Sequence, residues 1–170
     1  IPYGTKEVMG LEEEFSALGS DFARRGDGTD EHIQLMKSLW TRDQPEFSGR
    51  HYRLSEMTMY PKTTQKPHPP IWTGGVTPRA LRRAARWGDG WHGMRQTPED
   101  IASVRRRLQK MREELGQDLS RFELSLRVGL DITRTALPAS RLPLRGSPEQ
   151  VAEGVMRYRE AGLTYLVVEP

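Results

Sequence analysis

Apolar residues recur along this chain with two different periods, and the switch between them marks its elements. From residue 122 the alternation is strict. Phe122, Leu124, Leu126, Val128, Leu130 and Ile132 fall on one side, and Glu123, Ser125, Arg127 and Asp131 on the other. A period of two predicts a strand over 122–132 with one buried face. After Thr97, Ile101, Val104, Leu108, Met111 and Leu115 recur at helical spacing, with Arg105, Arg106, Arg107 and Lys110 largely off that stripe. This predicts an amphipathic helix, which Gly116 is placed to stop in a left-handed conformation. A helix from Ser147 to near Gly162 is predicted to bury Val151, Val155 and Tyr158. Another, between Thr77 and Gly88, has Ala80, Leu81, Ala84, Ala85 and Trp87 as its apolar side.

These three helices open alike, at Thr77-Pro78, Thr97-Pro98 and Ser147-Pro148. A hydroxyl at the N-cap accepts a hydrogen bond from a free backbone N–H, and proline fits the first helical position because its missing N–H is not needed there. Ser147 and Gln150 also have the spacing of a reciprocal capping box. Short apolar runs at Pro70–Thr73, Gly90–His92 and Tyr165–Val168 supply strands between the helices. Strands alternating with helices predict right-handed parallel βαβ units.

Upstream of this array are two helical segments, about Leu11–Leu18 and Thr29–Trp40, followed by an irregular aromatic stretch from Phe47 to Pro70. Its last part, Pro61–Pro70, contains four prolines and reads as an extended connector. The Pro-containing loop Thr135–Gly146 is a candidate cover for a site. The whole of 1–170 is read as a single domain, with helices and irregular segments in 1–69 and strand–helix repeats in 70–170.

Composition narrows the class. With 170 residues, 35% of them hydrophobic and 29% charged, the chain is a polar globular one and too short for most complete eight-fold barrels. It has no apolar stretch of bilayer length and opens on no signal-peptide pattern, so a cytoplasmic protein with no membrane partner is expected. The absence of cysteine excludes a disulfide scaffold and thiolate chemistry. The formal charge of +3 comes from arginine-rich helices and reads as a solvated face. Arg105–Arg107 has no interleaved aromatics, so nucleic acid is not the expected partner. His32, His51 and His68 are dispersed without zinc-ligand spacing, and no metal site is expected. Glu12-Glu13-Glu14 sits early in a helix, where carboxylates favour the dipole, and reads as structural.

Two segments are candidates for chemistry. In Trp72-Thr73-Gly74-Gly75-Val76-Thr77-Pro78-Arg79 a strand ends in two glycines and passes directly to a capped helix N-terminus. Glycine admits close backbone approach by a ligand, and free N–H groups at the positive end of a helix attract an anion. Arg79 opposes the helix dipole and is easier to explain with an anion beside it. The competing reading is a tight turn and nothing more. In Gly88-Asp89-Gly90-Trp91-His92 a helix turns into a strand whose end presents Trp91 and His92 where parallel α/β folds place ligands. His92 is a candidate ligand contact or acid/base group, and Trp91 a candidate for stacking on a flat ring. The structural alternatives are a satisfied strand-end histidine and a core tryptophan.

In combination these blocks resemble the luciferase-like monooxygenase superfamily, especially its F420-dependent branch. The matching pieces are Leu11-Glu12-Glu13-Glu14-Phe15, Ala17-Leu18-Gly19, Phe22, Arg25-Gly26, Thr29-Asp30-Glu31 and Leu39-Trp40-Thr41. Phe47-Ser48-Gly49-Arg50-His51-Tyr52, Pro61-Lys62, Pro67–Gly75, Ala80–Arg86 and Gly88–His92 follow in order. The resemblance implies a TIM-type (β/α)₈ barrel of which this chain carries about the last four parallel strands. It also implies that Gly74, Gly75, Val76 and Thr77 contact the cofactor phosphate, and that Trp91 and His92 border the pocket. The implied chemistry is hydride transfer to or from a small organic substrate with the deazaflavin F420, or oxygen activation with FMN. A non-catalytic anion-binding α/β module is the reading from a different class. The family's catalytic residues belong to earlier strands, so none is assigned here. Four strands leave two sheet edges unpaired, which points to a homo-oligomer or a pairing of halves.

Overall fold

The structure, a computed structural model, describes residues 12–19 and 21–170. The segment Ile1–Gly10 and Leu11 lie outside the described residues. The chain forms two compact units that divide between His68 and Pro69.

In the first unit, α1 spans Glu12–Ala17. A 3₁₀ turn, Phe22–Arg24, follows, and the Asp21 side chain caps it by accepting from the Ala23 N–H at 2.9 Å. This turn runs straight into α2, Arg25–Thr41, which therefore starts ahead of the expected Thr29. Thr29 is an interior residue whose hydroxyl donates to the Arg25 carbonyl, one turn back. The strands β1 (Phe47–Ser48) and β2 (Arg53–Leu54) pair antiparallel. The loop between them is held by one carboxylate: Glu31 accepts from the N–H groups of Arg50, His51 and Tyr52 at 2.8, 2.9 and 3.1 Å.

The second unit is the strand–helix array. Its elements are β3 (Trp72–Gly74), α3 (Pro78–Trp87), β4 (Gly90–Met94), α4 (Pro98–Glu113), β5 (Glu123–Gly129), β6 (Asp131–Ile132), β7 (Arg145–Gly146), α5 (Pro148–Glu160) and β8 (Tyr165–Glu169). The order β3-β4-β5-β8 forms one sheet, parallel throughout. Every helix starts where the hydroxyl-proline pairs placed it. Thr77, Thr97 and Ser147 accept from the N–H groups of Ala80, Asp100 and Gln150, and the last two helices have complete capping boxes.

The core lies between this sheet and its helices. Trp91, Leu124, Leu126 and Val128 face Leu81, Ala84 and Ala85 of α3, Ile101, Val104 and Leu108 of α4, and Val151 and Tyr158 of α5. Burying a large aliphatic side chain of this kind contributes about 1.5–3 kcal/mol. The other face of the sheet carries Trp72, His92, Ser125, Arg127 and Tyr165.

Three expectations need correction. The strand predicted over 122–132 breaks at Leu130. Its N–H donates to the Glu169 carbonyl of β8, and the next, Asp131, donates instead to the Leu144 carbonyl. The chain thus exchanges one partner strand for another, and Ile132, expected inside, is 59% exposed. Val155, expected buried in α5, is also exposed, because the helix turns Gly154 inward against the loop before it. Leu115 lies past the end of α4 and is exposed, while Gly116 adopts the left-handed conformation foreseen for it, φ +69°.

The loop from Thr135 to Gly146 is tied down. Gln150 Oε1 accepts from the Leu137 N–H at 2.9 Å while its Nε2 donates to the Leu137 carbonyl at 2.9 Å, and Leu144 is fully buried. A Cβ at Gly154 would stand 2.3 Å from the Pro143 carbonyl oxygen. Gly154→Ala should therefore push this loop off α5 and lower stability by about 1–3 kcal/mol, the usual cost of overpacking. Urea unfolding checks this; an unchanged midpoint would show that the loop yields freely.

Candidate functional site

The segment between β3 and α3 is shaped by backbone conformation and two side chains that reach it from elsewhere. Gly75 has φ +96°, which favours glycine, and a Cβ there would stand 2.8 Å from the Ala80 Cβ. The buried Trp91 donates its indole N–H to the Gly75 carbonyl at 2.8 Å. Arg107 of α4 donates to the Val76 carbonyl at 3.2 Å. With both carbonyls held, the N–H groups of Val76 and Thr77 donate to no protein acceptor among the described residues, and 74–79 are exposed.

Electrostatics distinguish this helix start from its neighbours. In the first turn α4 carries Glu99 and Asp100, and α5 carries Glu149, each opposing the positive helix end. The first turn of α3 has no acidic residue and carries Arg79. The α3 terminus keeps its positive potential, and a guanidinium adds to it.

The sheet face away from the helices continues from this loop. Register sets Gly74, His92, Ser125 and Tyr165 side by side across the four strands. Close approach is needed at the first of these, since a Cβ at Gly74 would lie 3.2 Å from the His92 carbonyl oxygen. His92 Nδ1 and Ser125 Oγ are 2.9 Å apart, and Ser125 is fully buried. Further along the strands Arg127 pairs with Glu169. The rings of Trp72 and Tyr165 meet edge to face with centroids 5.3 Å apart. Burial, and after it the positive charge of Arg127, pushes the His92 pKa below its ordinary 6.5. The imidazole is therefore neutral at pH 7, able to donate from one nitrogen and accept at the other.

This geometry sorts the residues singled out from the sequence. Gly74, Gly75, Val76, Thr77 and Arg79 share one exposed loop and helix start, and His92 adjoins Gly74. Trp91 is placed in the core with no exposed surface, so the expectation that it stacks on a ligand ring gives way to a different placement. It reaches any ligand through the Gly75 carbonyl that it holds. Ser125, Arg127, Tyr165, Glu169 and Arg107 were missed. The alternation of 122–132 gave the face of the first two but not their neighbours, which only register supplies.

A family model described as luciferase-like monooxygenase matches residues 9–142. The chain belongs to this family. Among luciferase-like relatives, the F420-dependent hydroxymycolic acid dehydrogenase of Mycobacterium tuberculosis is 31% identical over 88 residues, covering 52% of this chain and 24% of that protein. The FMNH(2)-dependent dimethylsulfone monooxygenase of Pseudomonas putida is 35% identical over 82 residues, covering 46% and 22%. The solved structure of an F420-dependent secondary alcohol dehydrogenase in complex with an F420-acetone adduct superposes with TM-score 0.75 at 17% identity, over 91% of this chain and 59% of that one. The chain spans 40% of the length of the mycobacterial relatives that it matches over 119 residues at 38% identity. Its fold is that of a partial luciferase-like (β/α)₈ barrel. No helix among the described residues is long and apolar enough to cross a membrane.

In this luciferase-like chain His92 gives a pH signature of defined sign. Its folded pKa is depressed, so below about pH 6.5 the unfolded state binds the proton more readily, and stability present above that pH is lost as pH falls. Thermal melting from pH 7 to pH 5 should show a smaller loss for His92→Gln than for the unsubstituted protein; parallel pH profiles would contradict this placement. Ser125→Ala, which removes the buried partner of His92, should cost about 1–3 kcal/mol in urea unfolding; a midpoint no different from that of the unsubstituted protein would refute the pairing.

Proposed function

We propose that this chain supplies the phosphate-holding part of an F420-dependent oxidoreductase that transfers hydride to or from a small organic substrate. The observation that carries the reading is the loop at Gly74–Thr77, with its exposed N–H groups at a helix end free of acidic residues and with Arg79 in the first turn. The residues fit a phosphate. Two neighbouring N–H groups are available, the helix end is positive, and a guanidinium stands within one turn.

The cofactor, when bound, supplies the hydride-carrying ring. The chain's own part is to fix the phosphate end and set the ring's position. Val76 and Thr77 would donate their N–H groups, Arg79 would pair with the phosphate charge, and Trp91 would hold the loop without touching the ligand. His92, neutral and braced by Ser125, would border the pocket as a hydrogen-bonding group. No catalytic residue is assigned. The F420-dependent relative supports the choice of deazaflavin, and the FMNH(2)-dependent one supports FMN as the competing cofactor.

Gly75→Asp is a poor test, because its Cβ would meet Ala80 and its φ is already left-handed. Val76 is 46% exposed, so exchange there is expected to cost little stability. Val76→Asp should leave the melting temperature nearly unchanged while weakening F420 binding about tenfold or more, from a carboxylate set beside the phosphate. Fluorescence titration of the purified protein with F420 and with FMN checks both points. Unaltered F420 affinity in the folded variant would remove the loop as the site, and saturable quenching by FMN alone would transfer the assignment to a flavin-dependent monooxygenase.

A further inference from the structure

Two exposed surfaces of this chain have opposite charge, and neither finds its complement within the described residues. The first is a groove of about 410 Å³, walled by Arg82 and Arg86 of α3 and by Arg107 and Lys110 of α4. Its floor is apolar, with Met111 half-buried and Leu115 exposed at 45%. Glu114 is the only acid among its lining residues. None of the four cations makes an ion pair among the described residues: Arg86 stacks on the Trp87 ring at 4.8 Å, and Arg107 donates to the Val76 carbonyl. Like charges along one groove repel one another, which disfavours the folded state unless a counter-charge lies between them.

The second surface is α1. It begins Glu12-Glu13-Glu14, contains no basic residue, and exposes all three carboxylates. None of them pairs with a cation among the described residues. Leu18 lies one turn beyond Glu14, its N–H donating to the Glu14 carbonyl at 3.2 Å, so the two share a side of the helix. At 82%, Leu18 is the most exposed large apolar side chain among the described residues.

We infer that α1 of one copy of this chain docks in the groove between α3 and α4 of a second copy. Leu18 meets the floor at Met111 and Leu115, and the glutamates lie between the cationic walls. Each surface supplies what the other lacks, in the same arrangement: an apolar centre inside a charged rim, which is the usual anatomy of a protein interface. No aromatic side chain lines the groove, so it offers nothing for nucleic-acid bases to stack on. A contact made by one short helix buries little area, so the association is weak and depends on concentration and salt. The inference stands apart from the cofactor reading above.

Sedimentation velocity on the purified protein, at low and high salt and over a wide range of concentration, tests this. At low salt the average mass should exceed that of one chain and rise with concentration, and high salt should return it toward one chain. Glu13→Lys/Glu14→Lys and Arg82→Glu/Lys110→Glu should each weaken association about tenfold or more, as expected when two exposed ion pairs become repulsions. All four positions are exposed, so the melting temperatures should stay near that of the unsubstituted protein. Mixing the two double variants should restore association, because the reversed helix of one then fits the reversed groove of the other. Leu18→Ser should weaken association and leave its salt dependence in place. A single-chain mass at every concentration overturns the docking. Association that both double variants retain, or that mixing fails to restore once they lose it, also overturns it and moves the contact to the open sheet edges. A lowered melting temperature in both double variants of a protein that stays single places α1 in its own chain's groove and overturns the second copy. Saturable capture of single-stranded RNA by chains that remain single overturns the choice of partner.

Discussion

One hydrogen bond joins the part of this molecule that is packed to the part that is open. Trp91 is wholly buried, yet its indole N–H must be satisfied, and it is satisfied by the Gly75 carbonyl. The ring is gripped by the core, and Gly75 meets it from a left-handed turn of φ +96° that a residue with a Cβ would adopt only under strain. The loop is therefore set by the core rather than by its own sequence. A segment of this kind, with two exposed N–H groups, would otherwise sample many conformations. Its shape is paid for by apolar burial some residues away.

How much of this was legible depends on the range over which each feature is decided. Helix starts are decided within four residues, by a hydroxyl, a proline and a neighbouring amide, and Thr77, Thr97 and Ser147 were read correctly for that reason. The Gly116 stop is equally local. The break at Leu130 is not. It depends on the Glu169 carbonyl ending one ladder and the Leu144 carbonyl beginning another, and both lie far along the chain. Val155 was misjudged because a helical stripe treats Gly154 as an absence, whereas here the glycine is the residue that packs.

The candidate site divides in the same way. The glycine pair, the capped helix and Arg79 are contiguous, so their combination could be recognised from the chain alone. Trp91 had two readings, a ring for stacking and, the commoner case, a ring for the core, and tertiary packing separates them. Ser125 and Arg127 were visible as the polar side of an alternating strand. Their significance comes from standing beside His92 and Glu169, and that adjacency is a property of register. The family relationship places the chain among luciferase-like barrels, while residue roles rest on these local contacts.

The carboxylates in the first turns of α4 and α5 carry a consequence for how a ligand arrives. Three helices point their amino ends toward the same edge of the sheet, and unmodified they would present three equivalent lures to an approaching anion. Glu99, Asp100 and Glu149 silence two of them. On the proposed reading an approaching anion would be drawn to α3 in preference to α4 and α5, and that preference would fade as dissolved ions shorten its reach.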